Sequence, residues 1–210
     1  MYNIPYFKEK DQQVVINFMQ QHPFAMLIGC IDNMPVATQV PLLIEEREGK
    51  LFLTGHMMKN TDHHKVFIKN PNALCIFTGP HTYVSASLYT NPQVASTWNY
   101  MSVQAKGQLK FTDEETLLKI LERTTSLFEN NIDSPASFHQ LPKDYVHGLA
   151  KAIAGFEIEV QVIDNVFKLS QNKDERSYHN IIEHLNQQDS EAQQIASEMQ
   201  KRAAQLYNVK

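Results

Sequence analysis

The 210-residue chain is 42% hydrophobic and 20% charged, with a net charge of −4. That is the composition of an ordinary folded domain, long enough for one core or for one core with a terminal extension. The negative balance excludes a general electrostatic attraction to nucleic acid or anionic lipid. The opening segment, "MYNIPYFKEKDQQ", lacks the basic start and apolar run of a secretory leader. No apolar run approaches the roughly 20 residues of a membrane helix, so a cytoplasmic chain without membrane contact is expected. Cys30 and Cys75 stand in the apolar runs "LIGCI" and "ALCIF". Buried free thiols are expected there, and they suit a reducing compartment.

In chain order, Asp11 can cap a first helix with Val14, Val15, Phe18 and Met19 on one face, and His22-Pro23 stops it. The stretch "FAMLIGCIDNMPVATQVPLLIEEREGKLFLTG" reads as three or four antiparallel strands, with "DNMP" and "EEREGK" as turns. A short helix opens at Asn60 or Thr61 and closes at Asn70-Pro71. "NALCIFTG" is a strand, "PHTYVSASLYTNPQVAS" a loop-rich crossing with a brief strand, and "TWNYMSVQAKGQLKF" a long strand. Thr112 and Glu115 form a capping box ahead of a helix carrying Leu117, Leu118, Leu121 and Phe128. Another helix covers residues 143 to 151, and "AGFEIEVQVIDNVFKLS" alternates as a closing hairpin. Two amphipathic helices end the chain. The first carries Tyr178, Ile181, Ile182 and Leu185; the second carries Ile195, Ala196, Met199, Ala203 and Leu206.

Six to eight short strands with helices between them predict a mainly β fold, a small antiparallel barrel with peripheral helices. Because the interior of such a barrel is filled by side chains, a ligand is expected on its outer wall, under a second subunit.

Four stretches carry candidate chemistry. In "FLTGHMMKNTDHH" a strand ends at a polar loop with Lys59, Asn60 and Thr61, and a helix begins at once. The helix N-terminus and the lysine ammonium suit an anion, against the alternative of a capped surface helix. Thr54 and His56 precede that loop. His56, His63, His64 and His81 lack metal-ligand spacing, and no metal is expected. In "GPHTYVSASLY" and "TWNY", Tyr83, Tyr89, Trp98 and Tyr100 can be packing, but Ser85, Ser87, Thr97 and Asn99 need partners if buried. "FKLSQNK" gathers Lys168, Ser170, Gln171, Asn172 and Lys173 after the last strand, either as a polar turn or as a donor cluster.

Taken together, "MYNIPYF", "GPHTYVS", "TWNY", "GFEIEV" and "KLSQNK", in this order, resemble the PaiB-type FMN-binding negative transcriptional regulators. The resemblance runs from residue 1 to about residue 180. It implies the flavin split barrel shared with pyridoxamine 5′-phosphate oxidases, FMN as cofactor and a homodimer. It also implies a split-barrel domain over residues 1–175, with a C-terminal helical extension over 176–210 packed on it. In the wider superfamily a strand–loop–helix carries the FMN phosphate, which here is Thr54, His56, Lys59, Asn60 and Thr61. Tyr83, Ser85, Trp98, Asn99, Tyr100, Gln104, Lys168, Ser170, Gln171 and Asn172 are then the candidates near the isoalloxazine ring, with Lys168 suited to an anionic reduced flavin. The chain departs from the family's pattern at Gln39, Lys59, Ala86, Leu88, Ser96 and Phe167.

Two further functions stay open at this point: an FMN-dependent oxidoreductase on a small substrate, and a haem-binding or haem-utilisation protein. No catalytic residue is identified. Direct DNA binding is not expected, because no basic-faced helix-turn-helix is recognisable.

Overall fold

The computed structural model describes residues 1–131 and 133–207. Among these residues the order is α1 (Gln12–Gln21), β1 (Phe24–Ile31), β2 (Met34–Pro41), β3 (Leu43–Arg47), β4 (Lys50–Met58), α2 (Asp62–Lys69), β5 (Asn72–Val84), β6 (Thr97–Phe111), α3 (Glu114–Glu129), α4 (Lys143–Ala150), β7 (Ile153–Lys168), α5 (Glu175–Leu185) and α6 (Ser190–Tyr207). The strands form one antiparallel sheet in the order β2-β1-β5-β6-β7-β4-β3. Its two edge strands, β2 and β3, follow each other in the chain with only Leu42 between them. The two edge strands are thus joined through a single residue, as the ends of one seven-stranded antiparallel sheet.

Turn chemistry sets the registers. β1 and β2 pair from Phe24↔Pro41 to Ile31↔Met34 around Asp32-Asn33, both left-handed at φ 49° and 60°. β3 and β4 pair out to Arg47↔Lys50 around Glu48-Gly49, at φ 53° and 73°. Two left-handed residues match the right-handed twist of the flanking strands.

The chain divides into two compact units. One comprises Met1–Val15, Thr78–Val103 and the chain from Asp164 on; the other comprises Ile16–Phe77 and Gln104–Ile163. In the second unit Leu27, Leu42, Leu53, Phe77, Phe156 and Ile158 are buried, with α2 packed on β1 and β2 and α3 on β4. In the first unit α5 packs on α6, burying Tyr178, Ile181, Leu185, Ile195 and Met199. The Tyr178 hydroxyl donates to the Met199 carbonyl at 2.9 Å.

Several expectations are corrected. β5 continues through Gly79-Pro80 to Val84 instead of ending in a loop. Alternate residues are buried up to Phe77, and the phase then slips so that Pro80 is buried. β7 is one unbroken strand, not a hairpin. The turn-like pair Asp164-Asn165 serves the N-terminal segment instead: Lys8 pairs with Asp164, and Asn165 binds the backbone of Glu9. The cap of α3 is Asp113, which accepts from the Thr116 N–H at 2.8 Å, one residue after the expected Thr112. Cys30 is exposed and only Cys75 is buried, where desolvation pushes its thiol up to about 12. Phe128 and Leu206 point outward.

Candidate functional site

In the unit holding β4, Thr54 and His56 lie two residues apart and so share one face of the strand. Thr54 is 5% exposed, and its hydroxyl has no hydrogen-bond partner among the described residues; the buried Nδ1 of His56 is likewise without one. An unpaired buried polar group costs about 1–3 kcal/mol, so such groups ask for a reason. Burial holds the His56 pKa below its ordinary value, leaving a neutral ring at neutral pH. Thr54 lines a cavity of about 390 Å³ walled by Arg47, Arg123, Glu45 and Glu157. Arg47 is paired with Glu157 and Arg123 with Glu45.

β4 leads into Lys59, which is exposed. Its ammonium reaches the Lys151 carbonyl at 3.1 Å, and its backbone N–H donates to Ala152 at 2.9 Å. Asn60 is left-handed at φ 64°. Thr61 caps α2, accepting from the His64 N–H at 3.4 Å while donating to the Met58 carbonyl at 2.8 Å. Asp62 takes the His63 N–H at 2.8 Å. The first turn of α2 thus spends these N–H groups on its own residues. What the stretch presents outward is the Lys59 charge, while Thr54 Oγ1 and His56 Nδ1 are buried and unspent on the strand before it.

The other unit gathers Tyr83, Trp98, Tyr100 and the β7 end. Tyr83 and Trp98 are exposed and meet edge to face at 6.0 Å, with His81 5.9 Å from Trp98. A groove of about 350 Å³ runs past His81, Trp98, Tyr100 and Ser102. Burial raises the pKa of the Tyr100 phenol. Lys168 donates to the Thr97 hydroxyl, and burial followed by Lys173 lowers its pKa.

Several expected donors are already occupied. Asn99, fully buried, accepts from the Ser170 hydroxyl at 3.0 Å, and its amide nitrogen lies 3.5 Å from the Met199 sulfur. Gln171 braces its turn, accepting from the Leu169 N–H at 2.7 Å and donating to the Phe167 carbonyl at 2.5 Å. Ser85 caps the short turn Ala86–Leu88. Asn172 is exposed, and Gln104 is half-buried on the stretch of β6 that belongs to the other unit. Arg47 and Arg123 belong to none of the four stretches with candidate chemistry. The Glu45/Arg47 spacing of two on a strand was the signal that both face one side.

The family model described as "Putative FMN-binding domain" matches residues 1–162. The chain belongs to this FMN-binding family. It is 31% identical over 201 residues to the protease synthase and sporulation protein PAI 2 of Bacillus subtilis, covering 95% of this chain and 97% of that one. Among solved structures it resembles an FAD and heme binding protein from Mycobacterium smegmatis, with a TM-score of 0.57 at 14% identity over 76% of this chain and 72% of that one. It also resembles the flavocytochrome Anf3 from Azotobacter vinelandii, with a TM-score of 0.57 at 13% identity over 80% and 72%. The PaiB-type resemblance read from the motifs therefore stands, the fold is the flavin split barrel, and the family's cofactor is FMN. The chemistry of the donors is compatible with that group: the Lys59 ammonium, the Thr54 hydroxyl and the His56 ring are of the kind a phosphate and a ribityl chain can use. Among the described residues, no helix is long and apolar enough to cross a membrane.

Proposed function

We propose that the protein is a cytoplasmic FMN-binding regulator of the PaiB type, working as a homodimer and without direct contact to DNA. The observation that carries the cofactor's placement is the pair of unpartnered buried atoms, Thr54 Oγ1 and His56 Nδ1, on the strand that delivers Lys59. In this reading Lys59 neutralises the FMN phosphate, Thr54 donates its hydroxyl, and His56 orients the phosphate end. Bound FMN supplies a reversible acceptor of hydride or single electrons, which suits a redox-responsive regulator. The regulatory role is supported by the Bacillus relative, whose name ties that protein to protease synthesis and sporulation. The homodimer is supported by large apolar side chains left open on the surface, Phe24, Met34, Met58 and Ile68 in one unit and Tyr83 and Trp98 in the other, because such surface is commonly covered by a partner.

Titration of FMN and riboflavin by fluorescence quenching tests the cofactor reading. Lys59→Ala is expected to cost about 1.5–3 kcal/mol of FMN affinity, roughly ten- to a hundredfold, and to leave riboflavin untouched. Lys69→Ala, at the far end of α2, is the control. Equal weakening of both ligands, or of neither, overturns the assignment. Light scattering that returns the single-chain mass of 24.1 kDa overturns the dimer.

A further inference from the structure

α4 is a helix of eight residues, a length that is marginal without tertiary support. Val146 and Ala150 are buried, while Tyr145 and Leu149 stand about half exposed, so it is held along one side. Gly148 inside it lowers its intrinsic helicity further. Support at its ends therefore matters.

The last carbonyls of a helix have no partner within it, and they form the negative end of its dipole. Here the Leu149 carbonyl accepts from the Lys151 N–H and from the Ala152 N–H at 2.9 Å. The Lys151 carbonyl, at the C-cap, accepts from the Lys59 ammonium at 3.1 Å. The Ala152 carbonyl accepts from the Lys59 N–H at 2.9 Å. His147, the basic residue of the last turn, is drawn away to Glu114 at 3.2 Å. Among the described residues, Lys59 is the one cation whose side chain is hydrogen-bonded to this end of α4. The same residue, with His64, Thr112, Ala150 and Lys151, walls a cavity of about 450 Å³. The lysine that closes α4 is thus open to a ligand.

We propose that Lys59 couples the cofactor's phosphate to α4, so that FMN binding loosens the last turn of this helix. The inference rests on the placement of the phosphate at Lys59. One ammonium carries one charge, and two negative groups draw on it. A phosphate with its full charge outweighs a helix end equivalent to roughly half a charge. Neutralised by the phosphate, Lys59 no longer serves as the cation at the end of α4. The helix then stands on its buried side alone.

Amide hydrogen exchange over residues 143–151 of the full-length protein, alone and with saturating FMN or riboflavin, tests this. FMN should quicken exchange in the last turn about two- to fivefold, the worth of a cation at a helix C-terminus. Riboflavin, which lacks the phosphate, should not. Without ligand, Lys59→Met should quicken the same amides to the same extent, and FMN should then add nothing. Coupling is reciprocal. Leu149→Pro, which opens the last turn at an exposed position, should therefore tighten FMN about two- to fivefold and leave riboflavin affinity unchanged. Unaltered riboflavin affinity also establishes that this variant folds. Slower or unchanged α4 exchange with FMN, equal quickening by riboflavin, or no gain of FMN affinity in Leu149→Pro would each overturn the coupling. If Lys59→Ala weakens FMN selectively while α4 stays indifferent, the coupling fails alone. If that variant weakens FMN and riboflavin equally, the phosphate placement fails and takes the coupling with it.

Discussion

Asn165 holds Glu9 from both sides: its Oδ1 accepts from the Glu9 N–H at 2.8 Å and its Nδ2 donates to the Glu9 carbonyl at 3.0 Å. A side-chain amide thus does for the N-terminal segment what a neighbouring strand would do, using one donor and one acceptor in plane. Arg202 of α6 adds a second fastening through the Glu9 carboxylate at 3.2 Å. Asn165 is 9% exposed, so its loss would leave Glu9 backbone groups without their partner. Asn165→Ala is expected to lower stability by about 1–3 kcal/mol. The urea midpoint should fall and amide exchange should quicken over residues 1–9 before the rest of the chain. An unchanged midpoint with unchanged N-terminal protection would show that the Lys8–Asp164 and Arg202–Glu9 pairs hold the segment without the amide.

Gly107 and Gly148 should respond to alanine with opposite signs. A Cβ at Gly107 on β6 would lie 2.1 Å from the Glu159 carbonyl oxygen and 2.9 Å from an Ile158 methyl. Backbone cannot step aside as a flexible side chain can. Gly107→Ala is therefore expected to cost at least the roughly 1–3 kcal/mol typical of overpacking. Gly148 lies inside α4, and a Cβ there meets nothing within 4 Å. Gly148→Ala should stabilise by about 1 kcal/mol, the helix-propensity difference between the two residues. Thermal midpoints that move in the same direction for both variants would refute the close-approach argument.

These two glycines also mark the limit of what the sequence discloses. The hairpins β1–β2 and β3–β4 are legible because Asp32-Asn33 and Glu48-Gly49 are turn chemistry placed between alternating residues. α1 and α2 are legible from Asp11, Thr61 and Asn70-Pro71. β5 and β7 are not, because Gly79-Pro80 and Asp164-Asn165 carry turn chemistry but lie within long strands. The donors around Lys168 could be seen as a cluster. That Ser170 is committed to Asn99, 71 residues away, is a tertiary fact that no local pattern encodes. The same holds for Thr54 and His56, whose significance lies in lacking a partner, a property of everything around them.

Asp174 makes the fold acid-sensitive. Its carboxylate accepts from the Ser177 and Thr90 hydroxyls and caps α5, and these bonds, the Ser177 ones foremost, hold its pKa down at about 2. The unfolded chain binds that proton at its ordinary value near 4. The contribution is therefore complete above about pH 4 and is lost as the pH falls towards the folded value. Asp174→Asn keeps an acceptor for the cap but removes the titration. Its thermal midpoint should lie below wild type at neutral pH and should change less between about pH 4 and about pH 2. A variant that keeps the wild-type acid slope would locate the sensitivity in other carboxylates.

His56 supplies a second test of the same sign, at milder pH. Burial disfavours its imidazolium, so its folded pKa lies below the ordinary 6.5. On acidification the unfolded chain takes up this proton first. The stability tied to a neutral His56 is complete above pH 6.5 and declines as the pH falls through the folded value. His64 shifts the same way, through burial and then the Lys59 charge, so His56 must be isolated by substitution. His56→Gln cannot ionise, and its thermal midpoint should fall less than wild type between about pH 7.5 and about pH 5.5. If FMN places its phosphate beside this ring, a protonated imidazole becomes favourable in the complex, and FMN should shrink the wild-type acid loss where riboflavin does not. Midpoints measured at both pH values for both proteins, with each flavin and without, separate the two claims. A wild-type slope that survives in His56→Gln removes His56 as the titrating group, and equal protection by FMN and riboflavin removes the phosphate from its side.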